Sequence, residues 1–359
     1  MAGVSAAAHL SPHGSVTLVE AESTLAYHTT GRSAAVFVVN YGADGTRPLA
    51  AASYGFLDDP PTGSTDSPLL SDRGVLWIAN QDQLPHLEAM AAEPTIPGYE
   101  VQLIDGDTAS DMVPALRDPG GAVYEPSALD IDVAGLHQVF VRTARANGTE
   151  IRTGSPVTSL ERKNGGWEVS AGGDVIGCDV VVNAAGAWGD RVATMAGVEP
   201  LGLQPMRRTA FMVPGNEDYS GWPMVIDADH GFYFKPDGSQ ILCSLAEEDP
   251  SEPADVRPRM EDVALAIERI NTATTLDIRT VNSQWTGLRT FAPDREMVIG
   301  EDPTAPGFYW LVGQGGMGIA TAPAYGSLIA SQAIGASLPT ELIAAGFNPT
   351  VTSPMRFRR

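Results

Sequence analysis

The first twenty residues restrict the fold most, because they combine a helix with a strand that ends in an acid. The small-residue run 1–10 predicts a helix packed closely on a sheet, and 14–20 predicts an apolar strand ending at Glu20. In a dinucleotide-binding unit, a strand leads through G-x-G-x-x-G into a helix, and an acid ending the next strand binds ribose hydroxyls. Gly3 and Glu20 fit the last glycine and the acid of that unit, whereas its first strand and first two glycines are not in the sequence. An ordinary helix and strand would show the same pattern.

Composition narrows the class of protein. The 359 residues include 44 acidic and 22 basic side chains, and the formal charge of −22 disfavours binding to nucleic acid or anionic lipid. The length and the 43% hydrophobic content predict a soluble globular protein with two domains. Cys178 and Cys243 are too few for a disulfide framework, and the six histidines lack metal-ligand spacing. Because no apolar run is long enough to span a bilayer and no leader is evident, we expect a cytoplasmic protein without a metal or stable membrane insertion.

Hydrophobic periodicity predicts a mixed α/β fold. Helices are expected at 46–57, 132–146 and 259–274, and strands at 150–153, 157–162, 167–171, 175–182 and 307–312. Alternation over 203–213 and 231–244 predicts an antiparallel sheet. The fold class that follows is a Rossmann-like domain built from discontinuous segments, with its first strand absent and an antiparallel-sheet domain inserted.

Two further segments suit an anionic ligand. Residues 26–35 place hydroxyls, a glycine and an arginine directly after the strand that ends at Glu20. Residues 313–318, G-Q-G-G-M-G, place free backbone N–H groups and a positive helix end at one point. A glycine turn that only permits close packing is the alternative for the second segment.

Five segments together resemble the D-amino-acid oxidase superfamily, in the branch that holds glycine oxidase, sarcosine oxidase and D-arginine dehydrogenase. They are V-T-L-V-E-A-E-S-T-L-A-Y-H-T-T-G-R-S-A-A (16–35), D-V-V-V-N-A-A-G-A-W-G-D (179–190), L-G-L-Q-P-M-R-R (201–208), W-T-G-L-R-T-F-A-P-D-R (285–295) and G-F-Y-W-L-V-G-Q-G-G-M-G-I (307–319). The resemblance spans nearly the whole chain and is greatest to D-arginine dehydrogenase. It implies two domains. The FAD-binding domain would comprise residues 1–45, 131–200 and 286–359, and the substrate-binding domain residues 46–130 and 201–285.

The resemblance also implies non-covalent FAD. The residues expected to hold it are Gly3, Glu20, Ala21, Thr29, Thr30, Gly31, Arg32, Ser33, Ala34, Val157, Ala185, Gly186, Trp188, Arg289, Gly313, Gly315, Gly316, Met317, Gly318 and Ile319.

The same resemblance implies a substrate site for a D-amino acid. Arginine binds a carboxylate through two parallel hydrogen bonds, and a phenol adds a donor without adding charge. The residues expected to bind the substrate carboxylate are Arg289, Arg208, Tyr233 and Tyr41. Arg207 and Arg208 are adjacent on a strand and should face opposite sides.

Departures from D-arginine dehydrogenase indicate a different substrate. Val75 stands where that enzyme has an acid for the substrate guanidinium. Other polar residues of its pocket are also replaced, by Val36, Val38, Met317 and Ala320. We therefore expect an uncharged, fairly hydrophobic D-amino acid that loses a hydride from Cα and gives an imino acid, then a 2-oxo acid and ammonia. The electron acceptor would be a quinone or oxygen.

Two alternatives stay open. One is an oxidase for secondary amines of the sarcosine or glycine type. The other is a degenerate, flavin-free binding protein, because the missing strand and glycines supply much of a pyrophosphate site. We expect instead that the sequence is about a dozen residues short of the functional unit.

Overall fold

The computed structural model describes residues 1–215 and 218–358. Within these ranges the helices are α1 (Ala2–Leu10), α2 (Thr46–Asp58), α3 (Leu84–Ala92), α4 (Gly106–Met112), α5 (Val133–Ala146), α6 (Gly189–Met195), α7 (Met260–Ala273), α8 (Ala322–Ala333), α9 (Thr340–Ala344) and α10 (Pro349–Thr352). The strands are β1 (Thr17–Val19), β2 (Val36–Phe37), β3 (Leu70–Asp72), β4 (Val75–Ala79), β5 (Gln102–Asp105), β6 (Gly121–Glu125), β7 (Leu129–Ile131), β8 (Glu150–Arg152), β9 (Val157–Lys163), β10 (Gly166–Ala171), β11 (Asp174–Cys178), β12 (Val181–Asn183), β13 (Gln204–Pro214), β14 (Met224–Asp227), β15 (Tyr233–Asp237), β16 (Gln240–Ser244), β17 (Ser283–Phe291), β18 (Val298–Glu301) and β19 (Phe308–Val312).

The largest sheet has eight strands in the order β17-β13-β16-β15-β14-β4-β6-β5. Its pairs are antiparallel except β14 with β4, where Met224 lies opposite Val75 in a parallel register. One face packs against α7 through a core that includes Phe211, Phe234 and Ile270. The sheet is therefore mixed, with one parallel pair in the otherwise antiparallel arrangement that was expected.

Two small sheets contain the other parallel pairs of strands. β1 pairs with β8, and β12 pairs with β19, which also pairs antiparallel with β18. Helix α1 contacts both β1 and β12 and packs on α5 and α8. Among the described residues no hydrogen-bonded ladder joins β1 to β12.

Helix predictions agree with the structure to within a residue or two. Asp132 caps α5, since its Oδ1 accepts the N–H of Gly135 at 2.8 Å. The single strand predicted at 175–182 is wrong, because β11 ends at Cys178 and β12 begins at Val181. The chain changes sheets there: β11 pairs antiparallel with β10, and β12 pairs parallel with β19.

Two predicted domain boundaries fall inside strands. The boundary at 130/131 lies in β7, which forms a small sheet with β2 and β3. The boundary at 285/286 lies in β17, whose nine residues all pair with β13 in the large sheet. The division into two domains stays a prediction. In the described ranges no helix has the length and apolar content needed to cross a membrane.

Candidate active site

A cavity of about 1270 Å³ is lined by α1, the end of β1, the segment that follows it, β12, β13, β17 and the turn after β19. Small-molecule sites commonly measure about 300–1,000 Å³. The cavity is therefore large enough for a large cofactor together with a second small molecule.

Most of the residues predicted to hold the cofactor line this cavity. They are Gly3, Glu20, Ala21, Thr29, Thr30, Arg32, Ser33, Ala34, Val157, Ala185, Gly186, Trp188, Arg289, Gly315, Gly316, Met317, Gly318 and Ile319. Gly31 and Gly313 are outside the cavity wall. Gly31 closes a turn by donating its N–H to the carbonyl of Ala26 at 2.9 Å, and Gly313 follows β19 with a φ of +76°.

Gly3 lies where α1 approaches both small parallel sheets. A Cβ atom at this position would be 3.4 Å from Cδ1 of Leu18 and 3.8 Å from Cβ of Ala184. Glu20 follows β1, and its Oε1 accepts the backbone N–H of Glu22 at 3.0 Å. In the described part of the chain Oε2 of Glu20 accepts no hydrogen bond, so it is available to a ligand hydroxyl.

A 3-10 turn, Thr29–Arg32, docks on β17 at the side of the cavity. The hydroxyl of Thr29 donates to the carbonyl of Leu288 at 2.7 Å. Arg32 donates to the carbonyl of Thr286 at 3.0 Å and forms an ion pair with Asp255 at 2.6 Å. The guanidinium of Arg32 therefore fixes the turn in place.

The turn at 313–318 lies at the end of the cavity that contains Arg289. This end is called here the substrate end, because the substrate is predicted to bind there. Gly315 donates its N–H to the carbonyl of Thr290 at 2.9 Å, and a side chain there would overlap the ring of Phe291. A Cβ atom at Gly316 would be 3.1 Å from Nη1 of Arg289. Both glycines thus permit an approach that a side chain would obstruct.

Two arginines come together on neighbouring strands. Arg208 of β13 lies opposite Gly287 of β17, and Arg289 lies opposite Met206, so the two arginines are diagonal neighbours on one face. Both line the cavity, with Tyr41 and Tyr233. Arg207 faces the other side, where it donates to the carbonyl of Arg257, as the alternation of a strand requires.

The two guanidiniums differ in their ionic partners. Arg208 is 3.4 Å from the carboxylate of Glu248, which also pairs with Arg295 at 2.9 Å. Arg289 has no carboxylate within 4.0 Å among residues 1–215 and 218–358. Burial and the neighbouring Arg289 lower the pKa of Arg208. Burial also lowers the pKa of Arg289, but Tyr41, Tyr233 and Glu248 outweigh this effect and the pKa is raised.

The predicted pocket residues divide into two groups. Val36, Val38 and Met317 line the cavity. Val75 and Ala320 do not, because Val75 is fully buried in the large sheet and Ala320 is buried in the core around α8. The apolar pocket expected from these five positions is therefore formed by only three of them.

Two residues that the sequence did not indicate also line the cavity. Trp77, two positions beyond Val75 on β4, stacks on Tyr41 with ring centroids 6.2 Å apart. His230 meets Trp77 edge-on at 5.2 Å and has a φ of +56°. Burial and Arg208 lower the pKa of His230, which favours its neutral imidazole. The only signal for His230 was the turn-forming sequence D-A-D-H-G at 227–231.

Comparison with known proteins gives the family. Residues 1–332 match the DAO family, described as "FAD dependent oxidoreductase". This chain belongs to the DAO family. Human mitochondrial sarcosine dehydrogenase is 25% identical over 260 residues, which cover 67% of this chain but 28% of that protein. Glycine oxidase of Bacillus licheniformis is 24% identical over 277 residues, 76% of this chain and 72% of the relative.

A solved structure shows the same fold. Glycine oxidase from Geobacillus kaustophilus superposes with a TM-score of 0.85 at 19% sequence identity, over 98% of this chain and 95% of that one. The chain spans less than a third of the length of human sarcosine dehydrogenase and most of the length of the glycine oxidases.

FAD is the cofactor of the DAO family, and the cavity fits it. The wall offers the start of α1 for a phosphate, a carboxylate at Glu20 for ribose hydroxyls, and glycine-lined turns for a flat ring. His137 adds a buried Nε2 with no partner among the described residues, and the His137 residue lines the same cavity. The described residues include no group of three or more side chains suited to a metal ion.

Proposed function

We propose that the chain oxidises the carbon–nitrogen bond of an amino acid whose carboxylate is bound by Arg289, with help from Arg208, Tyr233 and Tyr41. The proposal is carried by Arg289, a charged side chain that lines the cavity and has no carboxylate partner in the described ranges. A desolvated cation is costly unless it is paired. The planar guanidinium can bind the carboxylate of an amino acid through two parallel hydrogen bonds.

The preferred substrate is proposed to be a D-amino acid with an uncharged, fairly hydrophobic side chain. Val36, Val38, Trp77 and Met317 give the substrate end an apolar wall. Among residues 1–215 and 218–358, the carboxylates that line the cavity are those of Glu20, Glu22 and Asp179, and all three lie on segments proposed for FAD. A cationic side chain would therefore find no acid at the substrate end. The D-configuration follows from the resemblance to D-arginine dehydrogenase.

Catalysis on this proposal depends mainly on placement. FAD, when bound, would accept the hydride that leaves Cα, and with it both electrons. Arg289 fixes one end of the substrate, and the phenols of Tyr41 and Tyr233 restrict its rotation, so Cα is presented in one orientation. The apolar wall excludes water from the reacting carbon. The imino acid that results reacts with water and gives a 2-oxo acid and ammonia.

A substrate panel tests the proposal. Steady-state rates are measured with D-Leu, D-Met, D-Phe, D-Arg, D-Lys, their L-enantiomers, glycine and sarcosine, with oxygen and with a quinone as acceptors. We expect D-Leu, D-Met and D-Phe to have the highest kcat/KM. Higher values for D-Arg and D-Lys would overturn the proposed specificity. Highest values for glycine or sarcosine would favour the second candidate, an oxidase of small or secondary amines, which the names of the relatives support.

A further inference from the structure

The segment that carries Tyr41 has no regular secondary structure. Residues 38–42, called here the Tyr41 segment, follow β2 and precede α2. Tyr41 lies close enough to Arg289 to raise the pKa of its guanidinium, and its ring stacks on Trp77. Because no helix or strand holds this segment, its position depends on the side chains beneath it.

Glu125, the last residue of β6, is the buried acid beneath the Tyr41 segment. It is 2% exposed, and its Oε1 accepts a hydrogen bond from Nδ2 of Asn40 at 3.2 Å. The backbone N–H groups of Val39 and Asn40 also face this carboxylate and lower its pKa. Donors from Val39 and Asn40, the two residues that precede Tyr41, therefore converge on one side chain.

Asn40 connects the segment to a second loop. Its Nδ2 also donates to the carbonyl of Tyr99, and its Oδ1 accepts the N–H of Ile96 at 3.1 Å. The Glu125 carboxylate is therefore one end of a chain of hydrogen bonds that spans two irregular segments. Loss of its acceptor capacity would deprive the backbone N–H groups of Val39 and Asn40 of this buried acceptor and leave Nδ2 of Asn40 with the carbonyl of Tyr99 alone.

The ionisation of Glu125 sets how many donors it can accept. Burial raises the pKa of Glu125 to about 7, against the lowering effects of the hydrogen bonds from Asn40 and Val39 and the charge of Arg47. Arg47, on α2, pairs with the exposed Glu93 at 3.2 Å. Tyr41 and Tyr99 are the other titratable residues on the segments that contact Asn40, and burial raises the pKa of Tyr99. A protonated Glu125 turns one oxygen into a donor that faces other donors.

We propose that Glu125 is a positioning residue, whose carboxylate holds the backbone at Val39 and Asn40 and thereby places the phenol of Tyr41 at the carboxylate of the substrate. This inference rests on the proposed function, in which Arg289 and Tyr41 bind that carboxylate. It adds a residue, outside the cavity wall, through which pH controls substrate affinity.

The test uses 4-methylpentanoate, which is D-leucine without its amine and cannot be oxidised at a carbon–nitrogen bond. Its dissociation constant from the flavin-containing protein is measured by calorimetry between pH 6 and pH 8, where the probe is fully ionised. The proteins compared are the wild type, Glu125→Gln, Tyr41→Phe and the double variant. Glu93→Gln is the matched control, because it removes an exposed acid beside the same Arg47. Asn40→Ala is a second variant in case Glu125→Gln folds poorly.

The expected result is a wild-type affinity that weakens as the pH falls from 8 to 6. Glu125→Gln should bind about tenfold more weakly at pH 8 and show no such pH dependence, because its amide presents donors to donors. Glu93→Gln should behave as the wild type. If Glu125 acts through Tyr41, the losses from Glu125→Gln and Tyr41→Phe should be less than additive in the double variant.

Three outcomes would overturn the inference. Glu125→Gln and Asn40→Ala with wild-type affinity and pH dependence would remove Glu125 as a positioning residue. Fully additive losses would show that it does not act through Tyr41. Failure of the wild type to bind 4-methylpentanoate would reject the proposed carboxylate site as well, whereas the first two outcomes leave that site intact.

Discussion

At the scale of single residues, two arginines define the substrate end of the cavity. Arg208 shares Glu248 with Arg295, whereas Arg289 has no carboxylate partner in the described ranges. A ligand carboxylate would therefore neutralise Arg289 first. The aromatic pair Tyr41 and Trp77 limits the space beside it.

Replacing Arg289 with alanine should lower kcat/KM by an amount equal to about 2–5 kcal/mol of transition-state stabilisation, as for other buried partners of a charge. The measurement is steady-state kinetics with the best substrate of the panel. Arg279→Ala is the control, because the Arg279 side chain is 79% exposed and pairs with the nearby Asp277. Near-normal kcat/KM in Arg289→Ala would contradict the role assigned to this side chain.

Sequence and resemblance could indicate the four polar residues of the substrate end, but not the aromatic wall. Arg208 and Arg289 stand in recognisable segments. Strand alternation predicts that Arg207 and Arg208 face opposite sides, and the resemblance selects Arg208 for the cavity. The sequence did not indicate Trp77. Strand alternation places Val75 and Trp77 on the same face of β4, but it does not show which of the two reaches the cavity. His230 was missed because its position depends on contacts between distant segments.

At the scale of elements, the turn after β19 is the part most closely fitted to Arg289. Gly315 and Gly316 allow the backbone to contact Phe291 and the guanidinium of Arg289. The turn also leads into α8, which packs against α1. A small change in this turn should therefore alter ligand binding at the substrate end more than it alters the Tm of the protein.

Gly316→Ala should raise the dissociation constant of 4-methylpentanoate about tenfold, with little change in Tm. The added methyl group would be 3.1 Å from Nη1 of Arg289, so the guanidinium must move. Disturbing a hydrogen bond to a buried charged group commonly costs about 1–3 kcal/mol. A tenfold change in the dissociation constant corresponds to about 1.4 kcal/mol. Gly55→Ala in α2 is the control, since a Cβ there meets open space. Unchanged binding by Gly316→Ala would show that the turn does not constrain Arg289.

Elements with local signals could be predicted, and pairings between distant segments could not. Helices α2, α5 and α7 carry apolar residues at helical spacing and clear ends. The break between β11 and β12 was missed because both strands are apolar and only two residues separate them. The parallel pairing of β14 with β4 joins segments about 150 residues apart, for which a single sequence holds no signal.

At the scale of the whole molecule, the carboxyl-terminal segment ties together distant parts of the fold. Arg358 pairs with the fully buried Asp302 at 2.6 Å and donates to the carbonyl of Glu199. Arg356 pairs with Asp294 at 2.6 Å. Asp302 and Arg358 are 56 residues apart in the sequence, so neither composition nor spacing could have paired them.

Arg358→Ala should lower the free energy of unfolding at pH 7 by about 3–5 kcal/mol, because it leaves Asp302 buried without its cation. Burial opposes ionisation of Asp302, but hydrogen bonds from Arg358, Thr304 and Trp310 hold its pKa below the usual value. The stabilisation that ionised Asp302 gives the folded state is fully present above the pKa of an unfolded aspartate. It is lost as the pH falls through the lower pKa that Asp302 has in the folded state. Urea unfolding should therefore show a smaller difference between wild type and variant at pH 3 than at pH 7. Arg142→Ala, with a 51% exposed side chain, is the control; an equal loss in that variant would contradict the prediction.

The most direct measurement is the absorbance spectrum of the purified protein, saturated with FAD and kept without oxygen, before and after addition of D-leucine. The proposed function predicts a bound flavin whose absorbance near the visible maximum is lost on addition of D-leucine and returns when an electron acceptor is admitted. A protein that binds no FAD, or a bound flavin that no amino acid or amine of the panel reduces, would contradict it.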